Sequence, residues 1–141
     1  MKAIAENINV MSKSIGDAMQ NRVAEPIQQL AKECTEAGAH LLDINLGPAR
    51  KGGPELMEWV VQTVQEASDL QLCLDTSNHE AMEAGIKVCN QPPLLNSFSA
   101  QPDKMENILP LAAKYDCEII GLTMSTHIPI DADERIAIAY E

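Results

Sequence analysis

The sequence predicts an α/β fold of the (β/α)8 barrel type, truncated to about five βα units, and three observations carry that prediction. Short apolar runs beginning at His40, Gln71, Leu94 and Glu118 alternate with segments of helical periodicity. Joined by short loops, such alternation spells βαβ units, a parallel sheet and right-handed crossovers. The runs lack strict apolar–polar alternation, which fits strands covered on both faces. Finally, each run meets polar residues at or near its C-terminal end, where barrel enzymes build their sites. No GxGxxG or GxxxxGK[ST] follows any strand, so the commonest signatures of dinucleotide and P-loop binding in doubly wound sheets are missing.

Taken in order, Lys2 to Val10 reads as a first strand interrupted by Glu6, Asn7 and Asn9, and the polar, glycine-containing stretch Ser12 to Asn21 reads as a loop. A helix starts near Glu25-Pro26, where proline suits the first turn, carries Ile27, Leu30, Ala31 and Cys34 at helical spacing, and stops at Gly38. The second strand runs from His40 to about Asn45. After the loop through Gly47-Pro48 and Gly52-Gly53, Pro54 opens a helix faced by Met57, Val60, Val61 and Val64, with Trp59 off that stripe. The third strand, Leu72 to Asp75, leads into a helix from about Asn78 towards Asn90, capped by Ser77 or Asn78, and Pro92-Pro93 bars its continuation. Leu94 to Phe98 is the fourth strand. Asp103-x-x-Glu106 then opens a helix faced by Ile108, Leu109, Ala112 and Ala113. A fifth strand runs from Glu118 to about Thr123, and Asp131-x-x-Glu134 opens a last helix carrying Ile136 and Ile138.

The length of 141 residues suits one domain, 1–141. Since a complete barrel takes about 250 residues, the expectation is the N-terminal portion of one. Unpaired first and fifth strands would then be an association hazard. A net charge of -11 and a pI near 4.6 exclude any simple electrostatic grip on nucleic acid or an anionic membrane surface. Cys34, Cys73, Cys89 and Cys117 show no CxxC spacing and read as buried, reduced thiols. Without a signal-peptide layout or a membrane-length apolar run, the chain reads as soluble and cytoplasmic. His40, His79 and His127 have no metal-ligand spacing and read as surface or capping residues, and no metal site is expected.

Asp75 is the sharpest position, a carboxylate at the end of a buried strand. Taken alone, the pattern leaves it equally open to capping a turn and to accepting hydrogen bonds from a ligand. Ser77 and Asn78 can do the capping, which frees Asp75 for the second role. Asn96 sits inside the apolar run Leu94-Leu95-Asn96-Ser97-Phe98, although asparagine is depleted in strand interiors. Asp43 and Asn45 repeat the theme on the second strand, and Glu6 and Asn9 complete the ring on the first. A ring of Asp and Asn with little cationic help suits a flat, polar, uncharged heterocycle rich in N–H donors, and suits phosphate poorly.

Five segments together resemble the methyltetrahydrofolate:corrinoid protein methyltransferases of the pterin-binding TIM-barrel group, which includes dihydropteroate synthase. They are Glu6-Asn7-Ile8-Asn9, Leu42-Asp43-Ile44-Asn45-Leu46-Gly47-Pro48-Ala49, Leu72-Cys73-Leu74-Asp75-Thr76-Ser77-Asn78, Leu94 to Ala100 and Ile119 to Met124. The resemblance spans the whole chain. It implies 5-methyltetrahydrofolate as methyl donor and, as acceptor, a Co(I) corrinoid carried by a partner such as a corrinoid iron-sulfur protein. It further implies a homodimer for the full-length enzyme. The family's pterin-binding aspartate falls on Asp75 and its pterin-binding asparagine on Asn96, while Glu6, Asn9, Asp43 and Asn45 match positions around the same pocket. The family also uses an aspartate and an N5-proximal asparagine from later strands, which have no counterpart in this sequence. No catalytic residue is therefore assigned, and weak folate binding without turnover is expected of the 141-residue chain. The alternatives are a dihydropteroate synthase-like enzyme, for which the stretch Val10 to Asn21 lacks the phosphate-loop pattern, and an inactive pterin-binding fragment.

Overall fold

The computed structural model describes residues 1–140; Glu141 lies outside the described residues. Five strands, β1 (Ile4–Asn9), β2 (Leu41–Gly47), β3 (Gln71–Thr76), β4 (Leu94–Ser99) and β5 (Ile119–Leu122), form one parallel sheet in the order β1-β2-β3-β4-β5. Each crossover moves one place in the same direction. Right-handed connections that never reverse put every helix on one face of the sheet, as in a (β/α)8 barrel and unlike a doubly wound sheet, whose strand order reverses at a switch point. The helices are α1 (Lys13–Asn21), α2 (Ala24–Glu36), α3 (Gly53–Gln65), α4 (His79–Val88), α5 (Pro102–Tyr115) and α6 (Ala132–Ala139). From α1 to α5, each packs against the next.

Strand parity sorts the residues between two faces. Leu42, Ile44 and Leu46 of β2, Leu72 and Leu74 of β3 and Leu95 of β4 are buried beneath the helix layer, against Ile27, Met57, Val60, Val61, Val64, Met82 and Ile108. The alternate positions, Asp43, Asn45, Cys73, Asp75 and Asn96, therefore share the opposite face, which is the inside of a barrel.

Ser12 to Asn21 is not a loop. Its second half and much of its first form α1, whose apolar face of Ile15, Ala18 and Met19 is buried. The i, i+3, i+4 spacing of these three is short and is interrupted by polar residues and Gly16, which on their own favour a loop. Gly16 is there because a Cβ would stand 2.2 Å from the Val10 carbonyl oxygen, so glycine permits the helix to press against the end of β1. At the other end of α1, the Arg22 guanidinium lies 5.1 Å from the ring centroid of Trp59 and donates to the Glu55 carbonyl at 3.0 Å. This contact accounts for a tryptophan off the apolar stripe of α3.

One cap left open between two residues is resolved, and another shifts. Asn78, not Ser77, caps α4, its side-chain oxygen accepting from the Ala81 N–H at 3.1 Å. Helix α5 starts at Pro102 with Gln101 as its N-cap residue, so Asp103 lies in the first turn and does not cap. Asp131 does cap α6, accepting from the Glu134 N–H at 2.9 Å.

Among the described residues the sheet does not close, and β1 and β5 are both edges. Beside β5 lie the exposed side chains of Leu122, Ile128, Ile130 and Ile136, and no residue of α6 is buried. An open parallel edge flanked by apolar surface templates association. The 141-residue chain is expected to oligomerise at micromolar concentration in light scattering; a compact monomer under those conditions contradicts this. No helix among the described residues is long and apolar enough to cross a membrane.

Candidate active site

Backbone pairing places the predicted site residues side by side. Asn9 of β1 is in register with Asn45 of β2, Asn45 with Asp75 of β3, and Asp75 with Asn96 of β4. One row of amide and carboxylate groups thus crosses four strands on the inner face. A second pair lies a step below, where Asp43 is in register with Cys73. Glu6 and Asn7 fall where the β1–β2 register slips between Ala5 and Ile8. The slip accommodates an extra residue, and the charge of Glu6 acts on Asp43, Cys73 and Asp75. All six predicted residues are brought to one region of the inner face.

Hydrogen bonds divide the labour within the row. The Asn45 amide donates to Asp75 Oδ2, while Asn45 Oδ1 accepts from the Gly47 N–H at 2.9 Å. Both ends of the Asn45 side chain are thereby used, and the Asp75 carboxylate is held by one oxygen. Likewise the Asn96 amide donates to Asp43 Oδ1 at 3.2 Å. Among the described residues, Oδ1 of Asp75 and Oδ1 of Asn96 take no bond from the protein. Two neighbouring acceptors with fixed orientation are left open towards the barrel interior. Asn9 Oδ1 accepts from the Met11 N–H at 2.8 Å, which turns the chain after β1.

The rim behind this row is tied down. Gly47, at φ +56, ends β2 in the left-handed region that glycine adopts freely. Its carbonyl accepts from Thr76 Oγ1 at 2.7 Å and from the Ser77 N–H at 3.3 Å. The Asn78 amide donates to the Ala49 carbonyl at 2.9 Å. The residue that caps α4 therefore also anchors the loop after β2, and Asp75 stands on a braced strand end.

The electrostatics follow from crowding acids without cations. Asp43 is 1 % exposed; burial pushes its carboxyl above the usual range, bonds from Cys73 and Asn96 pull it back in part, and the Glu6 charge pushes it up again. Asp75 is raised to about 6, first by burial and then by the charges of Asp43 and Glu6. Burial, followed by its contact with Asp43, holds the Cys73 thiol protonated far above the ordinary thiol range. A neutral ligand offering N–H groups relieves this repulsion by supplying donors; another anion adds to it.

Cys73 is the neighbour that the sequence reading passed over, grouping it with the apolar core. Its period-2 relation to Asp75 was the available signal. Cys34 and Cys73 are buried, Cys89 and Cys117 are half-buried, and all four are free thiols. His40 Nδ1 accepts from the Ala3 N–H at 3.1 Å, and His127 pairs with Glu134 at 2.5 Å, so both serve local structure.

A singly wound parallel βα sheet with polar acceptors at its strand ends defines a barrel-type ligand-binding domain. More particularly, the chain belongs to the pterin binding enzyme family, whose sequence model matches residues 5–137. It is 29% identical over 141 residues, 98% of the chain, to a methylcorrinoid:tetrahydrofolate methyltransferase of Eubacterium limosum, and spans 52% of that protein's length. Over 72 residues, 50% of the chain, it is 35% identical to the gamma subunit of an acetyl-CoA decarbonylase/synthase complex from Methanopyrus kandleri, covering 15% of that subunit. The chain thus spans about half the length, or less, of these curated relatives.

Proposed function

We propose that this chain contributes the pterin-holding side of a methyltransferase that moves a methyl group between N5 of tetrahydrofolate and a corrinoid carried by a partner protein. The observation that carries the reading is the pair of open acceptors, Asp75 Oδ1 and Asn96 Oδ1, side by side on the inner face. A reduced pterin presents a ring N–H and an exocyclic amino group along one edge. Carboxylate and amide oxygens set next to each other suit that edge, and a charge-assisted bond to the carboxylate is about twice as strong as a neutral one. In this reading Asn45 orients Asp75 and Asp43 orients Asn96. Glu6 and Asn9 line the wall towards β1, and 1–141 is one pterin-binding domain.

Held in this way, the ring lies across the C-terminal mouth of the barrel with N5 facing outward, where a corrinoid protein can approach it. The corrinoid supplies the cobalt that donates or accepts the methyl group. This chain's residues supply position, because in-line transfer depends on holding the methyl-bearing nitrogen at a fixed angle and distance. The Eubacterium limosum relative is named for transfer from methylcorrinoid to tetrahydrofolate, whereas 5-methyltetrahydrofolate is the donor proposed for this chain; one site serves both directions of a reversible transfer. A partner of corrinoid-protein type, a homodimeric assembly and a cytoplasmic setting complete the proposal, the last supported by the four free thiols.

The test is methyl transfer from 5-methyltetrahydrofolate to cob(I)alamin by the intact protein, followed by the absorbance change of the corrinoid, together with titration of the folate. Micromolar folate binding and methylcobalamin formation are expected. Folate binding without transfer would leave a pterin-binding module, and no binding would remove the pterin reading altogether.

A further inference from the structure

Asp43 is buried on the inner face, and among the described residues no Lys, Arg or His pairs with it. The titratable groups that face it are Glu6 from β1 and Cys73 and Asp75 from β3, while its neighbour from β4 is Asn96. Two donors reach its carboxylate, the Asn96 amide at 3.2 Å and the Cys73 thiol. Cys73 is in register with Asp43, fully buried, and two residues before Asp75. Packing alone favours Val, Ile or Leu at inward positions of barrel strands; a smaller side chain with a weak donor stands here instead.

We infer that Cys73 is a positioning residue: by donating to Asp43 it keeps that carboxylate an acceptor for the Asn96 amide, and so aims Asn96 Oδ1 at the ligand. The role rests on the pterin reading and extends it by one residue. An asparagine side chain carries an oxygen on one side and an NH2 on the other, so the group that Asp43 takes decides which one the ligand meets. An ionised Asp43 only accepts. It holds the NH2 and leaves the oxygen free for the ring N–H groups. A protonated Asp43 gains an O–H, which the Asn96 oxygen accepts once the amide turns over, and the NH2 then opposes the N–H groups of the ring. Burial and the Glu6 charge push Asp43 towards that protonated form, and the bonds from Cys73 and Asn96 resist it. A thiol surrounded by Glu6, Asp43 and Asp75 does not ionise at neutral pH, so Cys73 stays a donor while the acids around it titrate.

The experiment compares the unmodified protein with Cys73→Ala and Cys73→Ser in two measurements. In the ligand-free protein, carbon-13 NMR follows the Asp43 carboxyl. Its midpoint is expected to rise by about one pH unit in Cys73→Ala, which has lost a bond to the charged form, and to return to or below the unmodified value in Cys73→Ser, which keeps a donor. Calorimetry with 5-methyltetrahydrofolate then reads the consequence. Cys73→Ala is expected to bind up to about tenfold more weakly at pH 5.5 and within about twofold of the unmodified protein at pH 8, and Cys73→Ser to regain the affinity at pH 5.5. The step that Asp75 adds near pH 6 is common to all three forms. An unmoved Asp43 midpoint in Cys73→Ala overturns the inference, and so does a loss of folate affinity that is equal at both pH values, which makes Cys73 a packing residue; either result leaves the pterin row standing. Should Cys73→Ala not fold, Cys73→Val, of similar volume and without a donor, is judged by the same outcomes. If the unmodified protein binds no folate at either pH, the pterin reading fails and the positioning role fails with it.

Discussion

Asp75→Asn is expected to weaken 5-methyltetrahydrofolate binding on the order of a hundredfold, through loss of about 3 kcal/mol. The substitution keeps shape and volume but exchanges the carboxylate for an amide that carries no charge. If Asn45 keeps donating to the amide oxygen, the NH2 group faces the ligand's own N–H groups; if the amide turns over, a weaker, uncharged oxygen faces the ligand and the Asn45 bond is lost. Because Asp75 is raised to about 6 by burial and by the Asp43 and Glu6 charges, the unmodified protein has a second signature. Folate affinity falls as pH drops through about 6, since a protonated carboxyl trades an acceptor for a donor, and the Asn variant loses that step.

Stability moves the opposite way. The folded-state value of Asp75 lies above the ordinary carboxyl value of 3.8, so its contribution is fully present below the unfolded value and is lost as pH rises through about 6. The ligand-free protein is thus strained at neutral pH by its own site, and Asp75→Asn should be no less stable there than the unmodified protein. Calorimetric titrations from pH 5 to 8 together with urea melts of both forms check this. Unchanged affinity in the variant removes Asp75 from the site; lost affinity accompanied by unfolding assigns it a structural task instead.

Leu74→Ala is expected to cost about 2–5 kcal/mol, a large share of the roughly 5–15 kcal/mol that holds a domain together. Leu74 is fully buried, on the helix-facing side of β3 one residue before Asp75. A Cβ on Gly85 would stand 3.0 Å from its Cδ1 and 2.6 Å from Met57 Cγ, so β3, α3 and α4 meet there without slack. Removing the isopropyl group leaves a void where α3 and α4 meet β3. The midpoint of urea unfolding should fall with an unchanged slope. A loss under about 1 kcal/mol would mean that the helix layer relaxes into the gap, against the close packing described above.

Much of this architecture was legible because parallel βα units write two signals at once. Apolar runs covered on both faces mark the strands, and helical stripes such as Met57, Val60, Val61 and Val64 mark the layer above them. The strand-end polar residues were legible too, since an asparagine within Leu94 to Phe98 or an aspartate after Leu72-Cys73-Leu74 has no packing reason to be there. Helix α1 was misread because Ile15, Ala18 and Met19 are a weak stripe among polar residues, and its glycine answers a backbone approach from Val10 that no local pattern records.

By itself, then, the sequence determined the fold class, most of the element order and the six polar positions on the inner face, because those depend on periodicity and on residue chemistry at strand ends. Only the tertiary structure decided the pairing of Asn45 with Asp75 and of Asn96 with Asp43, and the placement of Cys73 beside Asp43. These depend on which strand lies beside which and on the register between them. Residues far apart in the chain settle both, so no local stretch of sequence carries the information.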